Sequence, residues 1–302
     1  RVDATGPTAV PAAPGPSAGG GPALPRMSLM EHLHELRLRL VKSAVALLLA
    51  MGVSFWFWAE IKDFVMEPYY AAARAQGLAD VRLSVLDPGD GFMTVMKLCF
   101  LAGLVLASPV VIWQLWGFIS AGLYPSERRV VHIFFPCALA LFLLGVAAAY
   151  MLLIPVGLSW LIDFNVHSLG ARTEFNITSY TSLCISLVFA MGLAFQLPLV
   201  MMFLQGTGLV RRETFKRYWR HATVAAVTVG AIITADPSPV TQVLMSVPLC
   251  GLYVLGIWAG RFVGDGKERF RWWKAWPIYL GLALFVALMV WNKQLIAWWN
   301  AL

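Results

Sequence analysis

The sequence is poor in charge. Asp, Glu, Lys and Arg make up 13% of its 302 residues against 59% hydrophobic, and the mean hydropathy is +0.71. That leaves too little polar surface to coat a water-soluble globule of this length. Cysteine is scarce as well: Cys99, Cys137, Cys184 and Cys250 each lie inside an apolar run, and none stands in a Cys-x-x-Cys spacing. They read as small core residues rather than metal or redox groups. His32, His34, His132, His167 and His221 are scattered, with no His-Glu-x-x-His, no Gly-x-Ser-x-Gly and no carboxylate pair inside an apolar run. Without metal-ligand spacing or a nucleophile and base, the pattern argues against an enzyme and calls for no cofactor. Ten-residue segments of alternating hydrophobicity are missing too, which favours helices over a membrane barrel.

What the chain does have is long apolar runs. A helix of about 20 residues crosses about 30 Å of hydrocarbon, and residues 41–59, 95–118, 131–155, 180–205 and 240–260 predict five such spans. The run 222–234 is short, about 20 Å as a helix, and 275–291 is just long enough. The expected fold is all-α, a polytopic helical membrane protein.

Charge orients these helices. Arg26, Arg37, Arg39 and Lys42 flank the first run and Arg128 and Arg129 precede the third. The segment 206–221 carries Arg211, Arg212, Lys216, Arg217 and Arg220, and 261–274 carries Arg261, Lys267, Arg269, Arg271 and Lys274. The alternate segments hold only Lys62, Arg74 and Arg82 in 60–92 and Arg172 in 156–179. The positive-inside rule therefore places the N terminus in the cytoplasm and requires the short run 222–234 to cross. The net charge of +7 follows from this bias and implies contact with anionic lipid rather than nucleic acid. Residues 1–26, rich in Gly, Pro and Ala, predict a disordered tail with no signal-peptide core, and Met27 is an alternative beginning.

Two short stretches put acids where cations are expected. In "EHLHELRLRL" (31–40), Leu33, Leu36 and Leu40 share one helical face, while Glu35 and Arg39 stand four apart and pair on another. In "WQLWGFISAGLYPSERRVV" (113–131), Glu127 precedes Arg128 and Arg129. Each has a plain structural reading, as a surface ion pair or as a helix start capped by Ser126. Together they make a local acidic spot on a cationic face. Deeper in the chain, "AFQLPLV" sets Gln196 in an apolar helix before Pro198, facing either a partner helix or a hydrated cavity. In "TADPSPVTQ", Asp236 caps or opens a turn between two helices. Lys97, near the start of the second run, is expected to snorkel outward.

The stretches "HLHELRLRL" (32–40), "PVVIWQLWGFISAGLYPSERR" (109–129), "FQLP" (195–198) and "ADPSPVTQVLMSVP" (235–248), in this order, resemble the TatC subunit of the twin-arginine protein translocase. The resemblance implies a six-helix concave cup over residues 27–262, in the bacterial inner membrane. It implies a receptor for the signal peptides of folded cargo, whose arginine pair meets Glu35 and Glu127. Arg37, Arg39, Phe118, Leu123, Tyr124 and Arg129 match positions around that recognition site, with core packing an equal reading for the apolar three. Gln196 stands at an interior polar position that is often Glu. Pro68 and Asp236 match the extracytoplasmic region, where single-span partners of the TatA and TatB type assemble with it into a hetero-oligomer driven by the proton gradient. Asp90, Ala121 and Val254 depart from the family's usual Glu, Pro and Glu. Residues 263–302 add a basic segment and the run 275–291, expected as a seventh span with the C terminus outside, or as a hairpin on the inner surface. The alternative function, a small-molecule secondary transporter or channel, calls for ionisable groups converging at the midplane, where the sequence offers little beyond Gln196.

Overall fold

The computed structural model describes residues 29–76, 83–121, 128–168, 176–234 and 239–261, and within them the chain is almost entirely helical. The tail 1–26, the segment 263–302 and the expected seventh span lie outside these residues. Helix α1 (Leu29–Trp56) joins the charged opening stretch and the first apolar run into one 28-residue rod. Helix α2 (Trp58–Ala75) follows after a single turn residue, where the sequence predicts only an outer loop. Helix α3 (Asp90–Ala121) exceeds the predicted 95–118 at both ends. Helix α4 (Arg128–Ala148) continues through a π-helical turn, Ala149–Leu153, into α5 (Ile154–Asp163) and a second π turn, Phe164–Ser168. Helices α6 (Ile177–Ala194) and α7 (Leu197–Gly206) form one broken rod. The short α8 (Arg212–Arg217), α9 (Trp219–Thr234) and α10 (Pro239–Ala259) complete the described chain. Met30–Trp56, Asp90–Ala121, Phe134–Val166 and Ile177–Gly206 are each long and apolar enough to cross a membrane.

Helix α2 owes its existence to an amphipathic stripe. Val65, Met66, Tyr69, Ala72 and Ala73 are buried at helical spacing, and Tyr69 packs at 5.6 Å from the ring of Tyr180. Pro68 sits inside this helix and has no N–H for the Phe64 carbonyl four residues back. Tyr150, from the π turn after α4, donates its hydroxyl to that carbonyl at 2.6 Å and stacks on the Phe64 ring at 4.4 Å. Tyr180 donates its hydroxyl to the next carbonyl, that of Val65, at 2.8 Å. The solution recurs in α3: Pro109 leaves the Val105 carbonyl free, and Ser108 Oγ donates to it at 2.7 Å. Away from bulk water, a freed backbone carbonyl needs such a donor.

The helices pack closely where side chains are small. A Cβ on Gly103 would lie 2.8 Å from Met51 Cγ and 2.9 Å from its backbone nitrogen, so α1 and α3 touch backbone to side chain there. Gly192 admits the Phe142 ring, which joins α6 to α4. Tyr69, Leu153, Ile154, Leu158, Ile162, Tyr180, Met191 and Phe195 are almost fully buried and form the core between α2, α5 and α6. At one end of the bundle the rings of Trp116, Phe134 and Phe203 meet, from α3, α4 and α7. The amino ends of α1 and α4 and the carboxyl ends of α3, α7 and α10 share that end, and the cations of α1 and α8 and Arg261 lie there.

A polar ladder ties α3 to α6. Asp90 Oδ2 accepts from the backbone of Leu86 and Asp87 and from Asn176 Nδ2 at 3.0 Å. Asn176 Oδ1 in turn caps α6, accepting from Thr178 N at 2.7 Å and Ser179 N. Thr94 and Thr178 share a hydroxyl bond at 3.1 Å, and Lys97 Nζ donates to Ser182 Oγ at 2.7 Å. Lys97 thus points across the helix interface rather than snorkelling outward, its ammonium bonded to Ser182.

Candidate functional site

The site begins on α1, whose faces are inverted relative to a water-soluble helix. Leu33, Leu36 and Leu40 are 57%, 41% and 66% exposed and look away from the bundle. His32, Glu35, Arg39 and Ser43, at helical spacing on the opposite stripe, are half-buried and turn toward α3. Lipid as solvent explains the inversion, since outward leucine costs nothing in hydrocarbon and a charge does.

On that stripe Arg39 holds Glu35. Its Nη2 and Nε both donate to Glu35 Oε1, at 2.6 and 3.1 Å, and Nη1 reaches the Gln114 carbonyl of α3 at 3.5 Å. The two side chains are about three-quarters buried, at 24% and 23% exposure. Glu35 Oε2 is buried and has no hydrogen-bond partner among the described residues. A carboxylate accepts through both oxygens, so half of this one is open to a further donor. One turn nearer the helix end, His32 stacks on Phe118 with ring centroids 4.4 Å apart and planes at 24°. Gly117 lies between: a Cβ there would overlap Arg39 Nη1. The structure therefore brings together Glu35, Arg39 and Phe118 of the sequence-expected residues, and adds His32, Gln114 and Gly117. Arg37 is exposed on another face of α1. Leu123, Tyr124 and Glu127 lie outside the described residues, and of Arg129 only the backbone, in the first turn of α4, is described.

The family model for the Sec-independent protein translocase protein (TatC) matches residues 31–248. The chain belongs to the TatC family. It is 33% identical over 245 residues to the Sec-independent protein translocase protein TatC of Aquifex aeolicus (strain VF5), covering 81% of this chain and 99% of that protein. The TatC of Helicobacter pylori (strain J99) is 35% identical over 240 residues, 80% of this chain and 91% of that one. The chloroplastic TATC of Arabidopsis thaliana is 34% identical over 242 residues, 79% and 67% of the two chains. A crystal structure of a twin arginine translocase receptor TatC superposes with a TM-score of 0.69 at 33% identity, over 77% of this chain and 99% of that one. The chain is thus a helical membrane protein of the twin-arginine translocation system, with a role in protein transport.

The other polar positions of this TatC have distinct settings. Gln196 sits at the break between α6 and α7, where Pro198 interrupts the helix, and donates Nε2 to the Ala138 carbonyl of α4 at 3.0 Å. Pro68 is buried inside α2; Asp236 lies outside the described residues. Sequence reasoning missed Gln205. It is 5% exposed on α7, both of its amide atoms are buried without a hydrogen-bond partner among the described residues, and Gly260, just past the end of α10, makes room for it. Arg212 Nε donates to the Ile257 carbonyl at 3.3 Å, and Tyr253 Oη to the Phe215 carbonyl at 2.8 Å, so α8 is pinned to the end of α10. A lone Gln within "MMFLQG" was the readable signal for the first.

Proposed function

We propose that this TatC is the membrane receptor for signal peptides carrying two consecutive arginines, and that Glu35 and Glu127 accept the two guanidinium groups. Guanidinium and carboxylate form charge-assisted, often bidentate bonds that a lysine ammonium does not reproduce. The observation that carries the reading is Glu35 Oε2, a buried carboxylate oxygen with no donor among the described residues, at the cation-rich end of the bundle. Arg39 keeps Glu35 in place until the peptide competes for it, and Phe118, stacked on His32, makes one wall beside the pocket. Leu123, Tyr124 and Arg129 complete it, and Arg37 anchors the segment to lipid phosphates.

In the same reading, the N terminus and the basic segments face the bacterial cytoplasm, and the apolar part of the signal peptide slides into the concave bundle near Gln196. TatA- and TatB-type single-span subunits gather on the extracytoplasmic region of Pro68 and Asp236 and beside the short α9 and α10, with transport driven by the proton gradient and no catalytic step. Residues 27–262 form the receptor domain in this reading.

The test is crosslinking of the protein to a signal peptide with two arginines, against the same peptide with two lysines, in wild type, Glu35→Ala and Glu127→Ala. Loss of a charge-assisted contact costs about 1.5–3 kcal/mol, a drop of about tenfold or more. Equal crosslinking in every combination would reduce the two carboxylates to surface ion pairs.

A further inference from the structure

Away from Glu35, three buried polar atoms have no hydrogen-bond partner among the described residues and lie at one corner of the bundle: Oε1 and Nε2 of Gln205, and Nη2 of Arg212. Both side chains abut the last turn of α10. Arg212 Nε donates to the Ile257 carbonyl at 3.3 Å. A Cβ on Gly260 would overlap the Gln205 amide, 2.5 Å from its Cδ and 2.7 Å from Nε2. Ile257 and Gly260 stand three residues apart, about 4.5 Å along the helix axis. Gly208, with φ 72°, turns the chain after α7 and lets Arg212 come back onto α10. Gln205 is 5% exposed, and a buried amide beside a buried guanidinium N–H is costly to leave unpaired. A group that satisfies them needs acceptor oxygens for Gln205 Nε2 and Arg212 Nη2, a donor for Gln205 Oε1, and negative charge to answer the guanidinium.

The corner also lies at the depth of lipid headgroups. Tyr218 and Trp219, directly after α8, are 51% and 53% exposed, and Arg220 lies over the Trp219 ring at 5.8 Å. Exposed Tyr and Trp where an apolar helix meets a charged segment mark the membrane interface. Arg211, Lys216, Arg217 and Arg261 are exposed around the corner, and Glu213 is the one acid among the described residues of 197–261. Basic pockets between the ends of membrane helices are suited to acidic headgroups. We propose that Gln205 and Arg212 seat the phosphodiester of one anionic phospholipid with a hydroxyl-bearing headgroup. Nη2 and Nε2 donate to the phosphate oxygens, and Gln205 Oε1 accepts from the headgroup hydroxyl. A choline headgroup has no hydroxyl to donate and sets its own cation against Arg211 and Arg261. The seat is built from α7, α8 and α10, whereas Glu35 stands on α1 against α3.

The test takes the delipidated 302-residue chain in a nonionic detergent. It titrates phosphatidylglycerol, phosphatidylcholine of the same acyl chains, and inorganic phosphate, counting bound lipid by native mass spectrometry and following thermal unfolding. Wild type is expected to bind a first phosphatidylglycerol about tenfold tighter than a second, and about fivefold tighter than phosphatidylcholine. Arg212→Gln loses a charge-assisted contact and weakens the first site about tenfold, and Gln205→Leu weakens it about fivefold. Arg217→Gln, an exposed cation of the same short helix, changes it by about twofold or less. Gln205→Leu carries the test should Arg212→Gln fail to fold. With no buried amide to satisfy, it is expected to melt at or above the wild-type temperature without lipid and to gain less when phosphatidylglycerol is added. Lipid binding in Gln205→Leu that matches wild type overturns the proposal. So does a loss in Arg217→Gln as large as in Gln205→Leu, which would make the corner a diffuse basic surface. Inorganic phosphate that raises the melting temperature as far as the lipid overturns it as well, making this a seat for a soluble anion.

Discussion

Pro68 and Tyr150 form a pair whose coupling can be measured. Pro68 leaves the Phe64 carbonyl without its helical N–H, and Tyr150 Oη supplies the replacement at 2.6 Å. Tyr150→Phe keeps the ring that stacks on Phe64 at 4.4 Å and deletes only the hydroxyl. Leaving the carbonyl unpaired in a half-exposed setting costs about 0.5–1.5 kcal/mol. In a Pro68→Ala background, the new N–H closes the ordinary helical bond to Phe64, and the same deletion costs a few tenths at most. The effects of Pro68→Ala alone, a better helix former against lost ring packing, cancel in the double-mutant cycle. The expected coupling is about 1 kcal/mol, read from reversible unfolding of the four proteins in mixed detergent micelles. A Tyr150→Phe cost that is the same in both backgrounds, within about 0.3 kcal/mol, would refute the account and leave the conformation of α2 without this explanation for its proline.

Gly103→Val places a branched side chain against the Met51 backbone, which cannot yield as a side-chain tip does. A loss of about 1–3 kcal/mol is expected in the same unfolding assay, together with weaker crosslinking between cysteines introduced on facing turns of α1 and α3. Gln196→Leu removes the donor to the Ala138 carbonyl and is expected to cost about 0.5–1 kcal/mol, with Gln196→Glu costing more at neutral pH, because beyond losing the donor it sets a desolvated negative charge against that carbonyl oxygen. Should the leucine variant be as stable as wild type, the α4–α7 bond contributes nothing.

Much of this architecture was legible in the sequence, since long apolar runs have few alternatives once lipid is the solvent. The Glu35–Arg39 pair was also legible, because four-residue spacing leaves the two side chains adjacent on a helix. Helix α2 was hidden by its composition: Glu60, Lys62, Asp63, Glu67 and Arg74 read as a loop, and Pro68 reads as a helix breaker. Its buried stripe of Val65, Met66, Tyr69 and Ala72 becomes visible only when Tyr150 and Tyr180 arrive from distant segments to satisfy the backbone. The orientation of α1 was ambiguous for a different reason. A leucine face and a charged face are equally good candidates for the inside until the partner helix is known, and Gly117, 78 positions beyond Arg39, carries no local sign of what it accommodates.

The ladder from Asp90 to Ser182 has a mechanical consequence. Its rungs, Asp90 with Asn176, Thr94 with Thr178 and Lys97 with Ser182, are spaced along both helices in the same order. Sliding α3 past α6 by one turn would mismatch every rung at once and strand a lysine in hydrocarbon. The pair therefore behaves as a strut that transmits displacement without absorbing it. Helix α1 leans on that strut through Gly103 and Gly117 and is otherwise largely exposed. A load applied at Glu35 therefore passes into the strut through those two close contacts.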